Sequence, residues 1–163
     1  MADGLGLRRG TVDDAAALTA LQQAAYAPMA EIAGGVPLPL RVDYRDILRE
    51  MEVWLAEPDG GRLDGALILE HDADATLVWS VSVAPGGQSK GLGRRLLDFA
   101  EARARAEGRT RMRLYTNVRF ERNCAIYRRF GYAEVREERI GETEPPFVIV
   151  HMEKSLAQDA PAS

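Results

Sequence analysis

Val81–Leu97 reads VSVAPGGQSKGLGRRLL. An alternating apolar run stops at Pro85. Gly86 and Gly87 follow, then Gln88, Ser89, Lys90, Gly91, Leu92 and Gly93. From Leu92 the pattern turns helical: Leu92, Leu96, Ala100 and Ala104 recur every fourth residue, and Gly108 closes the run. A strand therefore leads through a glycine-rich loop into a helix. The first turn of such a helix has about four backbone N–H groups without helical partners, and its dipole adds roughly half a positive charge. Glycines let a ligand approach the backbone, and Lys90 and Arg94 add charge. The stretch has the chemistry of a pyrophosphate site, against the plainer reading of a strand-to-helix turn.

Upstream, GLGLRRG reads as a first strand, and Thr11 opens a helix with Asp13 and Asp14 in its first turn. Leu18, Leu21, Ala25 and Tyr26 give that helix its stripe, and Pro28 is expected to end it. AGGVPLPL is a loop, and a second helix is expected from Asp43 to Met51. VWLAE, LDGALILEH and ATLVWSVSV read as strands, the last two forming a hairpin around the acidic turn DADA. In the last of these strands Leu77, Trp79, Val81 and Val83 share one face. Downstream lie a strand in TRMRLYT, a helix from Glu121 to Phe130 stopped by Gly131, and strands in YAEVREERI and FVIVHMEK. The order is strand, two helices, three strands, helix, strand, helix, two strands. This predicts an α/β chain with a mixed sheet and helices on both faces.

A chain of 163 residues fits one domain. The expected division is one domain over 1–155 and a flexible tail over 156–163. The only cysteine is Cys124, so no internal disulfide forms. His71 and His151 lie far apart and no metal-ligand spacing is present, so no metal is expected. The opening MADGLGLRRG lacks a signal peptide's apolar centre, and no run approaches the ~20 apolar residues of a membrane span. A cytoplasmic protein is expected. The net charge of −4 divides unevenly: residues 86–131 balance to +8 and the remainder to −12. One reading is paired helix faces, such as Glu101 with Arg105; the other is a basic segment facing an anion.

Two other phosphate-binding motifs do not match. The G-x-G-x-x-G dinucleotide fingerprint would need Gly or Ala at Leu96, and the residue twenty after Gly93 is Arg113 where an acid is expected. No G-x-x-x-x-G-K-[ST] string occurs. QSKGLG instead resembles the Q/R-x-x-G-x-G/A loop of the Gcn5-related N-acetyltransferases (GNAT family). VSVAP resembles their central strand, and TNVRFERNCAIYRRFGYAEV resembles their second signature, N-x-x-x-Y-x-x-x-G-[FY]. The order and the spacing of about thirty residues match the family as well.

The resemblance implies the acyl-CoA N-acyltransferase fold, with about seven mostly antiparallel strands. It also implies acetyl-CoA as co-substrate. Its pyrophosphate would lie on Gln88, Ser89, Lys90, Gly91, Leu92, Gly93 and Arg94. The backbone of Val81 and Val83 would pair with the pantetheine arm, which Asn123 would also bond. Tyr127 would donate a proton to the departing thiolate; an unperturbed tyrosine, with pKa about 10, carries that proton at neutral pH. Core packing is the alternative role for Tyr127. Ile126 and Phe130 are expected in the core, with Cys124 as a small buried filler.

The implied reaction is direct acetyl transfer to a primary amine, which must lose a proton to attack. Ser80 and Ser82 stand where some relatives carry a carboxylate. Glu31, in the loop between the first two helices, is the first candidate base, followed by Glu70 and His151. A small-molecule amine is the expected acceptor, with no nucleic acid or membrane partner and with a homodimer left open. The alternatives are acetylation of protein N-termini and a catalytically weak CoA- or partner-binding module of the same fold.

Overall fold

The computed structural model describes residues 4–58, 60–86, 91–142 and 146–156. Its strands are β1 (Leu7–Arg9), β2 (Glu52–Ala56), β3 (Gly65–His71), β4 (Ala75–Val83), β5 (Arg111–Asn117), β6 (Ala133–Ile140) and β7 (Phe147–Ser155). The helices are α1 (Ala15–Tyr26), α2 (Ala30–Ala33), α3 (Tyr44–Glu50), α4 (Leu92–Ala106) and α5 (Glu121–Arg129), with short 3₁₀ turns before α1, α2 and α3. The strands form one sheet in the order β1-β2-β3-β4-β5-β7-β6. The pairs β1–β2, β2–β3, β5–β7 and β6–β7 are antiparallel. The order of elements is as expected except for the additional short helix α2 before α3. The chain divides into two compact units, residues 1–70 with 78–100, and residues 71–77 with 101–163.

In the first unit helices cover both faces of the strands. Leu18 and Leu21 of α1 and Tyr44, Ile47 and Leu48 of α3 pack on Val53, Leu55, Ala66 and Ile68. The opposite face receives α4. Trp54 of β2 meets Phe99 edge to face at 4.9 Å. A Cβ placed on Gly65 of β3 would lie 3.0 Å from Leu92 Cδ2 and 3.2 Å from Leu96 Cδ1. Covering both faces alters the reading of β4. Leu77, Trp79, Val81 and Val83, which alternation puts on one face, are half-buried, whereas Val78, Ser80 and Ser82 are fully buried.

As expected, α1 ends at Tyr26, but Pro28 does not carry the chain out of helical conformation. It occupies the start of the 3₁₀ turn Ala27–Met29, where a missing N–H costs nothing, and the chain continues into α2. Gly34, at φ +77°, then caps α2 through its N–H to the Ala30 carbonyl at 3.1 Å. Glu31 is therefore an exposed helical residue rather than a loop residue.

In the second unit Met112, Leu114, Val150 and Met152 are buried along β5 and β7. β4 and β5 begin side by side, with the N–H groups of Thr110 and Arg111 both on the Asp74 carbonyl. The basic segment is largely matched by ion pairs: Arg111 to Asp74 (2.6 Å) and Glu153 (3.3 Å), Arg113 to Asp72 (3.2 Å), and Arg103 to Glu107 (3.3 Å). The expected pair of Glu101 with Arg105 forms at 3.6 Å, and Lys154 joins Glu101 at 2.9 Å. For these arginines the paired-face reading holds. Leu156, expected to begin the tail, is instead 4% exposed, and its N–H bonds to the Thr110 carbonyl at 2.7 Å.

At the first helical entry Asp14 accepts both guanidinium nitrogens of Arg8, at 2.8 and 3.0 Å, and the Thr11 N–H at 2.8 Å. The Arg8 hydrogen bonds hold this carboxyl at about 2, below the ordinary 3.8. A depressed carboxylate stabilises the fold above its unfolded pKa, and that stability is lost as pH falls. Asp14→Asn is expected to cost about 1 kcal/mol at pH 7, the exposed Arg8 screening the pair. It should also flatten the decline in unfolding free energy between pH 4 and 2, as read by urea melts across that range.

Candidate functional site

In the first unit the loop runs into α4 as its sequence requires. Gly91 is exposed at φ +71°, a left-handed conformation that suits glycine, and a Cβ there would meet nothing within 4 Å. The Arg95 N–H is bonded back to the Gly91 carbonyl at 3.2 Å, and the N–H groups of Leu92, Gly93 and Arg94 lie ahead of that bond. The first turn of α4 carries no acidic residue. Leu92 is buried at 6% and anchors the turn, while Arg94 is exposed. Gln88, Ser89 and Lys90 lie outside the described residues. Val81 and Val83 are half-buried on β4, and the Val83 side chain stands 3.7 Å from a Cβ placed on Gly93.

Behind Ser80 lies a buried polar network. Gln22, 0% exposed, donates through Nε2 to Ser80 Oγ at 3.1 Å and to Tyr44 Oη at 2.9 Å. Tyr44 donates onward to the Pro39 carbonyl at 2.6 Å, and Tyr26 Oη lies 3.0 Å from Ser80 Oγ. Pro39 offers only an acceptor, so Tyr44 must donate to it and must accept from the Gln22 amide. That fixes the orientation of the amide and leaves Gln22 Oε1 buried without a partner. The sequence signal for this network was a glutamine one turn after Leu18, within an otherwise apolar stripe.

In the second unit Asn123 and Tyr127 stand one turn apart on α5, both half-buried. Tyr127 meets Tyr132 edge to face, at 6.1 Å between ring centres. Ile126 and Phe130 are half-buried rather than fully in the core. Cys124 is buried, its Sγ 3.9 Å from the Asn117 carbonyl, and burial pushes its thiol up, away from thiolate chemistry. A cleft of about 480 Å³ opens beside it between Arg128, Glu134 and Val150. Among the remaining candidate bases, Glu70 is exposed at the end of β3. His151 holds Glu138 at 2.8 Å through Nε2. Among the described residues no cluster of three or more His, Cys, Asp or Glu could hold a metal ion.

The model of the acetyltransferase (GNAT) domain matches residues 49–134, from the end of α3 to the start of β6. The chain belongs to the GNAT acetyltransferase family. Within it, mycothiol acetyltransferase from Beutenbergia cavernae is 36% identical over 88 residues, covering 51% of this chain and 29% of that protein. The chain thus matches less than a third of this relative's length.

Among solved structures, the GCN5-related N-acetyltransferase from Rhodopseudomonas palustris superposes with a TM-score of 0.75 at 18% identity, over 93% of this chain and 96% of that one. A GNAT family acetyltransferase from Elizabethkingia anophelis with acetyl-CoA bound gives 0.66 at 17% identity, over 94% and 99%. These likenesses establish the GNAT fold.

The signature residue after Gly131 carries a cost that can be measured. Tyr132 is 3% exposed, and its hydroxyl has no hydrogen-bond partner. Burial pushes its phenol well above the usual tyrosine range. Tyr132→Phe keeps the ring contact with Tyr127 and removes the stranded hydroxyl, so it should raise stability by about 1 kcal/mol in a urea melt.

Proposed function

We propose that this protein transfers the acetyl group of acetyl-CoA to the primary amine of a small molecule. The observation that carries the reading is the family match over residues 49–134, which spans both the glycine loop and the Asn123–Tyr127 signature. The local structure of the loop fits a pyrophosphate: Gly91 is open and left-handed, and the first turn of α4 has no carboxylate to repel an anion. The residues that would hold acetyl-CoA are Gln88, Ser89, Lys90, Gly91, Leu92, Gly93 and Arg94 around the pyrophosphate. Val81, Val83 and Asn123 would hold the pantetheine arm. When bound, the cofactor supplies an activated acetyl thioester.

Tyr127 is the general acid of this proposal. Its phenol would place a proton where thiolate charge develops. Glu31, exposed on α2, is the first candidate for the base that takes the proton of the attacking amine. The acceptor is taken as a small molecule because the named relative in Beutenbergia cavernae is a mycothiol acetyltransferase. No helix among the described residues is long and apolar enough to cross a membrane.

Two variants test the assignment. Tyr127→Phe should lower kcat by about 10²–10⁴-fold while leaving acetyl-CoA affinity within about twofold, followed by thiol release and calorimetric titration. Gly91→Val should abolish acetyl-CoA binding by placing a branched side chain in the open approach. Unchanged turnover in the first variant removes Tyr127 from the acid role; retained affinity in the second moves the pyrophosphate elsewhere.

A further inference from the structure

Helix α5 ends in a Schellman reversal that brings two tyrosines of the second unit together. Gly131, at φ +93°, takes the left-handed conformation that stops the helix. Its N–H bonds the Arg128 carbonyl at 3.0 Å, and the Tyr132 N–H bonds the Tyr127 carbonyl at 3.0 Å. The chain folds back, and the Tyr132 ring returns beside the Tyr127 ring. The two meet edge to face, 6.1 Å between centres at 65°.

The two rings have different surroundings. Tyr132 is 3% exposed, whereas Tyr127 is half-buried. Burial raises the Tyr132 phenol well above the usual range, and the nearby Glu101 and Tyr127 raise it further. So buried a hydroxyl is a poor proton donor, and what Tyr132 offers its neighbour is the ring. The reversal is itself clamped. A Cβ placed on Gly131 would lie 3.3 Å from Lys154 Cε, so the lysine stem covers the turn. Lys154 Nζ donates to Glu101 Oε2 at 2.9 Å, and Arg105 holds the other oxygen of Glu101 at 3.6 Å. Backbone bond, burial and clamp together fix the Tyr132 ring against Tyr127.

We infer that Tyr132 is a positioning residue for the acid step: its ring holds Tyr127 in one rotamer, with the hydroxyl where the departing sulfur needs its proton. This rests on the proposed acid role of Tyr127. In that step the phenol gives its proton to the sulfur as the C–S bond breaks, and the proton shed by the attacking neutral amine restores the phenol. A half-exposed tyrosine without such a wall has several staggered χ1 wells open to it. Misplacing a reacting group by about 1 Å costs up to about 10²-fold in rate. Edge-to-face contact favours one ring geometry, which an aliphatic side chain of similar bulk does not impose. The ring of Tyr132 therefore matters to turnover, and its hydroxyl does not.

The test compares thiol release by wild type, Tyr132→Phe, Tyr132→Met and Gly131→Ala, each also in a Tyr127→Phe background. The acceptor is the best of a primary-amine panel, or water where no amine reacts. Tyr132→Phe should keep kcat within about twofold, and Tyr132→Met should lose about 10–10²-fold with acetyl-CoA affinity unchanged by calorimetry. Gly131→Ala strains the reversal but keeps the buried ring; it should lose kcat in the same sense, and it carries the test if the methionine variant does not fold. In the Tyr127→Phe background neither change should cost further turnover, because the group they orient is gone. The same loss in both backgrounds means a structural role only and overturns the inference. NMR couplings of the Tyr127 methylene protons, without any ligand, should report one χ1 well in wild type and averaging in Tyr132→Met. Averaged couplings in wild type, or unchanged ones in Tyr132→Met, overturn it as well. A loss of turnover in Tyr127→Phe with none in Tyr132→Met or Gly131→Ala overturns this inference alone. Unchanged turnover in Tyr127→Phe overturns the acid role and this inference with it.

Discussion

The geometry of the first unit depends on a side chain that is missing. Gly65 leaves room on β3 for Leu92 and Leu96 to approach a Cβ position within 3.0 to 3.2 Å, and the Ser82 carbonyl lies 3.2 Å from the same point. Leucine tips can give way, but a strand carbonyl cannot, so a larger residue would push α4 off the sheet. The first turn of α4 begins at Leu92 itself. The contact that seats the helix therefore also sets where its unpaired N–H groups and the open Gly91 stand. Packing and anion chemistry share one turn of helix.

The same economy governs the buried polar groups. Ser80 and Ser82 sit where a solvent-facing strand would simply wet them, but α1 covers that face. One glutamine amide then bridges Ser80 and Tyr44, and Tyr44 ties the Pro39 carbonyl into the same network. The partnerless Gln22 Oε1 is the residue of that arrangement, and Tyr132 leaves a comparable stranded hydroxyl in the second unit. Each such group costs about 1–3 kcal/mol unless a partner is found.

Much of this was legible in the sequence because the deciding features are local. Periodicity at Leu92, Leu96, Ala100 and Ala104 marks α4, Gly131 marks the end of α5, and the loop glycines mark the α4 entry. What the sequence did not reveal depends on contacts between distant elements. Pro28 reads as a stop and α1 does end before it, yet the proline itself fits the first turn of the next helical segment. Alternation along β4 separates its two faces but does not reveal that both are covered, which is why Ser80 and Ser82 are buried. Glu138 gave no signal at all within the charged run of β6. Its meeting with His151 requires the β6–β7 register, including the irregularity between Glu134 and Arg136. Placing Leu156 in a tail failed for the same reason, since its partner is the Thr110 carbonyl 46 residues away.

The central claim is that the α4 entry holds the pyrophosphate of a CoA thioester. A thermal melt of the protein with acetyl-CoA, CoA and NADPH at matched concentrations tests it most directly. At 100 times its dissociation constant a ligand stabilises the fold by about 2.7 kcal/mol, a shift of a few degrees for a chain of this size. The account predicts that shift with acetyl-CoA and with CoA, and none with NADPH. No shift with either CoA species would contradict it and leave the family resemblance one of fold without the ligand.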